Sequence, residues 1–232
     1  MFLGRKFFVS AVIALLAAQS MMADTVKIGI AKIVQHEALD SVEKGITDVL
    51  NEYAKANNVE ISFDLQNANG DVNTASQIAT KFKGEKVDVA VGIATPIAVA
   101  LATAMKDTPI VFGTVTDPVA ARLTDDKTHG KGNVTGMSDE IPTVEHIAMF
   151  KEIAGIKKLG YIYTSNEANS MSALKLVEEG CKKAGIKLVT QSISNSNEVK
   201  QAAEAIVRRV AGLYLSPDNP FFSALPAVKK VF

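Results

Sequence analysis

The segment VDVAVGIATPIAVAL, residues 87–101, contains the pattern on which the fold depends. It begins with the mostly apolar stretch from Val87 to Val91, which predicts a buried strand. The residues Gly-Ile-Ala (92–94) follow, and from Thr95 onward the apolar residues recur at helical spacing. Pro96 is suited to a first helical turn, because the amide groups of that turn make no hydrogen bond within the helix. Thr95 before it is an acceptable cap. The segment therefore predicts a strand that leads directly into a helix.

The same succession of a short β-branched strand and a longer helix recurs along most of the chain. Further strands are predicted at residues 26–30, 60–65, 109–112, 158–163, 187–192 and 213–215. The polar, glycine-bearing stretch from Val119 to Asn133 interrupts this rhythm and is typical of a surface connection. Because repeated strand–helix units build parallel sheets covered on both faces, we predict an α/β protein of two Rossmann-like lobes. The lobes are predicted at residues 24–137 and 138–232, joined near residues 134–139.

The composition fits a globular protein and excludes one class of partner. The 25 Lys and Arg residues balance the 25 Asp and Glu residues, so we expect no nucleic-acid partner. Hydrophobic residues make up 47% of the chain, which is enough for a substantial core. Cys181 is the only cysteine, so no internal disulfide can form. Its helical spacing from Leu174 and Val177 predicts a buried thiol.

The first residues have the layout of a secretory signal peptide. Two basic residues precede an apolar run from Phe7 to Ala18, and small residues follow it. A membrane anchor is the alternative, but the run is shorter than the roughly 20 residues that span a bilayer. We therefore expect residues 1–23 to be removed, by cleavage after Ser20 or Ala23, and the mature chain to be periplasmic.

Polar loops follow the predicted strands, at the edge where open α/β sheets bind their ligands. Their Asp, Asn, Ser and Thr residues are also the usual helix caps and turn residues, and this simpler interpretation stays open at each position. At Thr95, the first-turn amide groups and the positive end of the helix dipole suit a carboxylate or phosphate. The small residue Ala94 lets a ligand approach the backbone closely. A carboxylate-bearing small molecule is the ligand we expect here.

Catalytic and metal-binding motifs are absent from the sequence. It contains no G-x-S-x-G, Walker A, G-x-G-x-x-G or H-E-x-x-H pattern. The three histidines, His36, His129 and His146, are far apart and lack partners at metal-ligand spacing. We therefore expect no enzymatic activity, no metal site and no cofactor.

Seven segments occur in a characteristic order from about residue 26 to the end of the chain. They are VQHEALD (34–40), QNANGDVN (66–73), GIATPIAVAL (92–101), TVTDPV (114–119), GNVTGMSDE (132–140), YTSNEANS (163–170) and YLSPDN (214–219). Together they resemble the substrate-binding proteins of the tryptophan/tyrosine-type ABC transporter family. The resemblance implies a type I periplasmic binding protein-like fold, two lobes that close on a small ligand, and an ABC permease in the membrane as partner.

The loops and the resemblance together yield a set of candidate ligand-binding residues. They are His36, Asn69, Ala94, Thr95, Pro96, Asp117, Ser138, Asp139, Asn166, Glu167, Asn169, Asp218 and Asn219. The resemblance implies that Asp117 lies near the hinge and that Ser138 and Asp139 lie where the chain crosses between the lobes. An α-amino acid fits this chemistry, with its carboxylate at the helix that starts at Thr95. Its ammonium group would face a carboxylate, and Asp218, Glu167 and Asp139 are the three alternatives.

The chain departs from the family pattern in two places. His36 is followed by Glu37, where family members often carry proline. Family members are also longer, and the strands that return to the first lobe are missing from this sequence. We therefore expect the second lobe and the hinge to be incomplete. Exposed apolar side chains are expected near the end of the chain, at Phe221, Phe222, Leu225, Val228 and Phe232.

The predicted function is non-enzymatic capture of an amino acid, aromatic by resemblance, for an ABC importer. A sensory module that presents its ligand to a receptor is the first alternative, because similar binding domains serve both purposes. An exported α/β enzyme is the second, and the lack of a nucleophile or metal set disfavours it.

Overall fold

The computed structural model describes residues 25–231 and contains two α/β lobes. The first lobe contains β1 (Val26–Lys32), α1 (Glu37–Asn57), β2 (Ile61–Asn67), α2 (Val72–Glu85), β3 (Val89–Ile93), α3 (Thr95–Ala104), β4 (Ile110–Val115) and β5 (Val134–Ser138). The second contains α4 (Thr143–Ala154), β6 (Lys158–Thr164), α5 (Ala168–Ala184), β7 (Lys187–Ile193), a 3₁₀ turn (Ser196–Glu198), α6 (Val199–Val207), β8 (Gly212–Tyr214), α7 (Asn219–Ser223) and α8 (Leu225–Val228). The predicted signal peptide, residues 1–23, lies outside the described residues.

Each lobe is built on a parallel sheet. The first sheet has the strand order β2-β1-β3-β4-β5, and the second has the order β7-β6-β8. All the pairings are parallel, because helices return the chain to the same end of the sheet before most strands. The prediction of an α/β protein with two parallel-sheet lobes is confirmed. None of the helices in residues 25–231 combines the length and the apolar character needed to cross a bilayer.

The packing of α3 against β3 determines where the polar end of α3 lies. Ala90, Val91 and Ile93 are all buried, as expected for a strand covered on both faces. A Cβ atom at Gly92 would lie 3.0 Å from the Ala98 Cα atom, so the glycine allows the helix to sit directly on the strand. The first turn of α3 is thereby held at the carboxyl edge of the first sheet.

The second sheet is covered on both faces by separate apolar clusters. Tyr161 on β6 packs into a cluster with residues of α4 and α5, and this cluster includes the buried thiol of Cys181, as predicted. Ile162, the next residue of β6, points to the opposite cluster, which α6, α7 and α8 form. Alternation along β6 therefore provides both halves of the second core.

The expectation of exposed apolar side chains near the end of the chain is wrong for two of the five residues. Phe221 and Val228 are buried in the cluster on the Ile162 face, with 2% and 4% of their surface exposed. Phe222 and Leu225 are partly buried against the same cluster. The short helices α7 and α8 fold back onto α6 and the sheet, and this contact removes the apolar surface from water. Phe232 lies outside the described residues.

Gly29 and Gly84 provide a matched test of the first-lobe packing. A Cβ atom at Gly29 would lie 2.7 Å from the ring of the buried Phe82, whereas a Cβ atom at Gly84 would contact nothing. We expect Gly29→Ala to lower the free energy of unfolding by about 1–3 kcal/mol through overpacking. Gly84→Ala is expected to raise it by roughly 0.5–1 kcal/mol through helix propensity. Urea denaturation of both variants measures these changes, and equal effects would contradict the proposed packing.

Candidate functional site

A cavity of about 190 Å³ lies between the two lobes, where the carboxyl ends of both sheets meet. We call it the central cavity. It is lined by His36, Ala38, Leu39, Val42, Ala94, Thr95, Thr114, Thr116, Asp139, Asn169, Pro217, Asp218, Asn219 and Phe222. The structure therefore brings together seven of the candidate residues predicted from the sequence: His36, Ala94, Thr95, Asp139, Asn169, Asp218 and Asn219.

Helix α3 begins at Thr95, as the sequence predicts, but Thr95 is not its cap. Thr95 is its first residue rather than its cap, Pro96 is the second, and Ala94 occupies the cap position without a side-chain hydrogen bond. The Ala94 backbone has φ 78° and ψ 157°, a region that residues other than glycine rarely occupy. A hydrogen bond of 2.9 Å from the Ala94 amide to the Gly113 carbonyl holds this conformation. The Thr95 hydroxyl is consequently buried and has no hydrogen-bond partner.

The end of β4 contributes two threonines that the sequence analysis missed. Thr114 and Thr116 line the central cavity, and Thr114 has a positive φ of 52°. Both belong to the polar segment TVTDPV (114–119) at the end of a predicted strand, and this position was the available signal. Asp117, which the sequence favoured, lies outside the cavity. Its Oδ1 atom accepts a 2.9 Å hydrogen bond from the Ala120 amide in the following turn.

Asp139 lies directly after β5, at the point where the chain leaves the first lobe. Its Oδ1 atom is buried without a hydrogen-bond partner. Burial raises the pKa of the Asp139 carboxyl, although hydrogen bonds from Thr116 and from its own backbone amide oppose the shift. The neighbouring Ser138 does not line the cavity, and its hydroxyl donates to the Thr116 carbonyl at 3.3 Å and accepts from the Glu140 amide at 3.1 Å. Asp139 is therefore the residue of this pair with an unused polar atom.

Asp218 joins three elements of the second lobe. Its Oδ1 atom accepts hydrogen bonds from the Thr164 hydroxyl at 2.8 Å and from the Phe221 amide at 3.0 Å. Its Oδ2 atom accepts from the Thr164 amide at 2.8 Å and from the Ser170 hydroxyl at 2.5 Å. Both oxygens are therefore occupied by β6, α5 and α7, although the residue also borders the cavity.

Glu167 lies beside Asp218 and contacts two amide side chains. Its Oε2 atom accepts hydrogen bonds from Asn169 Nδ2 at 3.2 Å and from Asn219 Nδ2 at 2.8 Å. Burial raises the pKa of Glu167 to about 7, and the charge of Asp218 adds to the shift, while the two amides oppose it. Asn169 Nδ2 also donates to the Pro217 carbonyl at 3.0 Å, and Asn169 Oδ1 is buried without a partner.

His36 and Phe222 form an aromatic contact between the lobes. Their ring centroids are 6.1 Å apart and the rings are tilted by 38°. Burial lowers the pKa of His36, with Asp40 opposing the shift and Lys32 adding to it. Phe222 was predicted to be an exposed residue, and no local pattern indicates its place at the cavity. Its contact with His36 depends on how α7 folds against the first lobe.

A second depression, which we call the lateral groove, adjoins the central cavity at Thr95. It is lined by Val72, Ser76, Thr80, Thr95, Pro96, Val99, Ala100, Thr103, Ala104, Asn166, Glu167 and Ala168. Three candidate residues, Pro96, Asn166 and Glu167, therefore border the groove rather than the cavity. Asn69 borders neither the cavity nor the groove. Its main-chain amide donates a hydrogen bond to Asn67 Oδ1 within the turn after β2. Within residues 25–231, no three His, Cys, Asp or Glu side chains are grouped as a metal site.

The two parallel-sheet lobes and the cavity between them define a type I periplasmic binding protein-like fold. The chain belongs to the ABC transporter substrate binding protein family, whose model matches residues 27–231. Because the proteins of this family bind solutes rather than transform them, the prediction that the chain is not an enzyme is confirmed.

Relatives of this chain include proteins with named ligands. The tyrosine-binding protein of Clostridioides difficile is 37% identical over 205 residues, which cover 88% of this chain and 59% of that protein. A Streptococcus pneumoniae structure in complex with L-Trp has a TM-score of 0.82 at 32% identity, over 90% of this chain and 70% of that one. A ligand-free, open structure of a Clostridium difficile substrate binding protein has a TM-score of 0.59 at 36% identity, over 89% and 70%. This chain therefore spans about three fifths of the length of the tyrosine-binding protein.

The raised pKa of Glu167 has a testable effect on stability. The folded protein holds this proton more tightly than the unfolded chain, so stability decreases as the pH rises from 4.5, the unperturbed value, to about 7. We expect the free energy of unfolding of the wild-type protein to fall by roughly 3 kcal/mol more than that of Glu167→Gln over this range. Urea denaturation at several pH values measures the difference. Parallel profiles for the two proteins would contradict the assignment.

Proposed function

We propose that the protein is the extracytoplasmic solute-binding component of an ABC importer, and that it binds an α-amino acid in the central cavity. The observation that carries the proposal is the set of buried polar atoms without partners. Three of them belong to residues that line this one cavity: Thr95 Oγ1, Asp139 Oδ1 and Asn169 Oδ1. One is a hydroxyl donor and two are acceptors, which matches a zwitterion with a carboxylate and an ammonium group.

The ligand carboxylate is assigned to the start of α3. The amide groups of a first helical turn have no partners within the helix, and the helix dipole places partial positive charge there. The unpartnered hydroxyl of Thr95 is an additional donor at the same point. The Ala94 side chain is only a methyl group, so an anionic group has room to reach these donors.

The ligand ammonium group is assigned to Asp139 and Asn169. Of the three carboxylates that the sequence left as alternatives, Asp218 already accepts four hydrogen bonds. Glu167 accepts two and borders the lateral groove. Asp139 is the carboxylate of the central cavity with an unpartnered oxygen, and a buried charge of this kind favours an oppositely charged partner.

The remaining wall favours an apolar, aromatic side chain on the ligand. Leu39, Val42 and Phe222 line it, together with the ring of His36. A volume of about 190 Å³ is smaller than the roughly 300–1,000 Å³ of pockets for drug-sized ligands, so a single amino acid fits better than a peptide. The tyrosine-binding relative and the L-Trp complex support an aromatic amino acid.

The arrangement of the lobes supports ligand capture by closure. The structure is more similar to the L-Trp complex than to the ligand-free, open structure, with TM-scores of 0.82 and 0.59, although the sequence is slightly more similar to the latter. The higher structural similarity to the L-Trp complex is therefore not explained by sequence identity. We infer that the lobes are arranged as in a ligand-bound form. We further propose the division into residues 24–137 and 138–232 as the two moving bodies.

The cellular role proposed here also rests on the family. Its members deliver ligands to an ABC permease, and we propose such a membrane permease as the partner of this chain. The layout of residues 1–23 supports export by a cleaved signal peptide and a periplasmic location.

Thr95→Val tests the carboxylate assignment, because valine keeps the shape of threonine and removes the hydroxyl. We expect L-tryptophan binding to weaken by about 10- to 100-fold, as for the loss of a buried hydrogen bond to a charged group. Thr103→Val is the matched control on the same helix, since the Thr103 hydroxyl donates to the Val99 carbonyl outside the central cavity. Isothermal titration calorimetry measures both variants. Unchanged affinity of the Thr95 variant would show that the Thr95 hydroxyl does not bind the ligand carboxylate.

Asp139→Asn tests the ammonium assignment. We expect the substitution to weaken L-tryptophan binding at least tenfold, but to leave binding of 3-(indol-3-yl)propionate, which lacks the ammonium group, nearly unchanged. Asp117→Asn is the control, because Asp117 lies outside the cavity and caps a turn. Equal losses for both ligands, measured by calorimetry, would show that Asp139 does not recognise the ammonium group.

A further inference from the structure

Glu167 borders the lateral groove, and its side chain contacts two residues that line the central cavity. It directly precedes α5 and is 3% exposed. One of its oxygens, Oε2, accepts hydrogen bonds from the side-chain amides of Asn169 and Asn219, and both of these residues line the central cavity. Glu167 therefore holds two polar residues of the cavity wall by hydrogen bonds and does not itself line the cavity.

The contact with Glu167 determines which end of the Asn169 amide is available to a ligand. Asn169 Nδ2 faces two acceptors, Glu167 Oε2 and the Pro217 carbonyl. Turning the amide over would place its oxygen against these two acceptors, which is unfavourable. The Asn169 Oδ1 atom is consequently the end left without a partner, and it can accept a hydrogen bond from an ammonium group.

The charge of Glu167 affects how firmly the amides are held. An ionised carboxylate accepts hydrogen bonds about twice as strongly as a neutral acid, whereas a protonated Glu167 can also donate and so release the amide orientation. The groove-lining residues of α2 and α3 have no titratable side chains. Asp218 is the charged neighbour within the second lobe, and Asp139 and His36 lie across the central cavity.

We propose that Glu167 is a positioning residue for the ligand ammonium group, which acts by holding the Asn169 and Asn219 amides and does so most firmly when it is ionised. The inference rests on the proposed function, because it takes an amino acid as the occupant of the central cavity. It predicts that affinity for an amino acid rises with pH through the neutral range, where burial places the titration of Glu167. The group responsible does not touch the ligand.

The test is calorimetric titration of L-tryptophan and L-tyrosine from pH 5.5 to 8.5. The proteins compared are the wild type, Glu167→Gln, Glu167→Ala, Asn169→Ala and the Glu167→Ala/Asn169→Ala double variant. Glutamine keeps an oxygen that can accept from both amides but removes the charge, whereas alanine removes the contact. Glu198→Gln is the matched control, because Glu198 also accepts from an asparagine side-chain amide and a main-chain amide but lines neither the central cavity nor the lateral groove. Circular dichroism at each pH shows that the variants are folded.

The affinity of the wild-type protein and of the Glu198 control is expected to increase about tenfold with pH, and that of Glu167→Gln to change much less. Glu167→Ala is expected to bind about tenfold more weakly than Glu167→Gln. The loss of affinity in the double variant should be smaller than the sum of the two single losses, because Glu167 acts in part through Asn169 and in part through Asn219.

Three results would overturn part of this scheme, and they differ from one another. A wild-type pH profile in Glu167→Gln would show that the charge of Glu167 is irrelevant to binding. Additive losses from Glu167→Ala and Asn169→Ala would show that Glu167 does not act through Asn169. Absence of L-tryptophan and L-tyrosine binding to the wild-type protein at every pH would instead overturn the proposed function, and the inference with it.

Discussion

The backbone turn at Ala94 is the constraint on which the first-lobe wall depends. Its φ of 78° is unfavourable for alanine, and the hydrogen bond to the Gly113 carbonyl on β4 helps to maintain it. Gly92 allows α3 to lie directly against β3, so the helix has to start immediately after the strand. The first-turn amides and the Thr95 hydroxyl therefore face the space between the lobes.

The second-lobe wall depends on a different interaction, the fourfold hydrogen bonding of the Asp218 carboxylate. Burying a carboxylate is costly unless donors replace its water, and β6, α5 and α7 supply these donors. The same network brings Glu167 close to a second negative charge in a buried environment. The resulting preference of Glu167 for its proton is a consequence of how the second lobe is assembled.

The charges around the central cavity are distributed unevenly, and this distribution would orient a zwitterionic ligand. The first lobe contributes the positive end of a helix dipole and, directly after β5, the Asp139 carboxylate, while the second lobe contributes the Asp218 carboxylate. Among the described residues that line the central cavity, there is no lysine or arginine. In a site that excludes water, such charges act more strongly than at the surface. A zwitterion therefore has a preferred orientation in the cavity before any side-chain contact is considered.

The sequence by itself determined the α/β succession and the edge at which polar loops gather, because apolar periodicity and turn residues act over a few neighbouring positions. It also indicated the start of α3 at Thr95, although not the cap at Ala94. Only the tertiary structure decided which polar residues are used internally, since Asp218 meets Thr164 across 54 positions of sequence. It likewise separated Asp139, with an unpartnered oxygen, from Asp117, which caps a turn. Hydrogen-bond partners and burial arise from contacts between distant segments, and no local pattern encodes them.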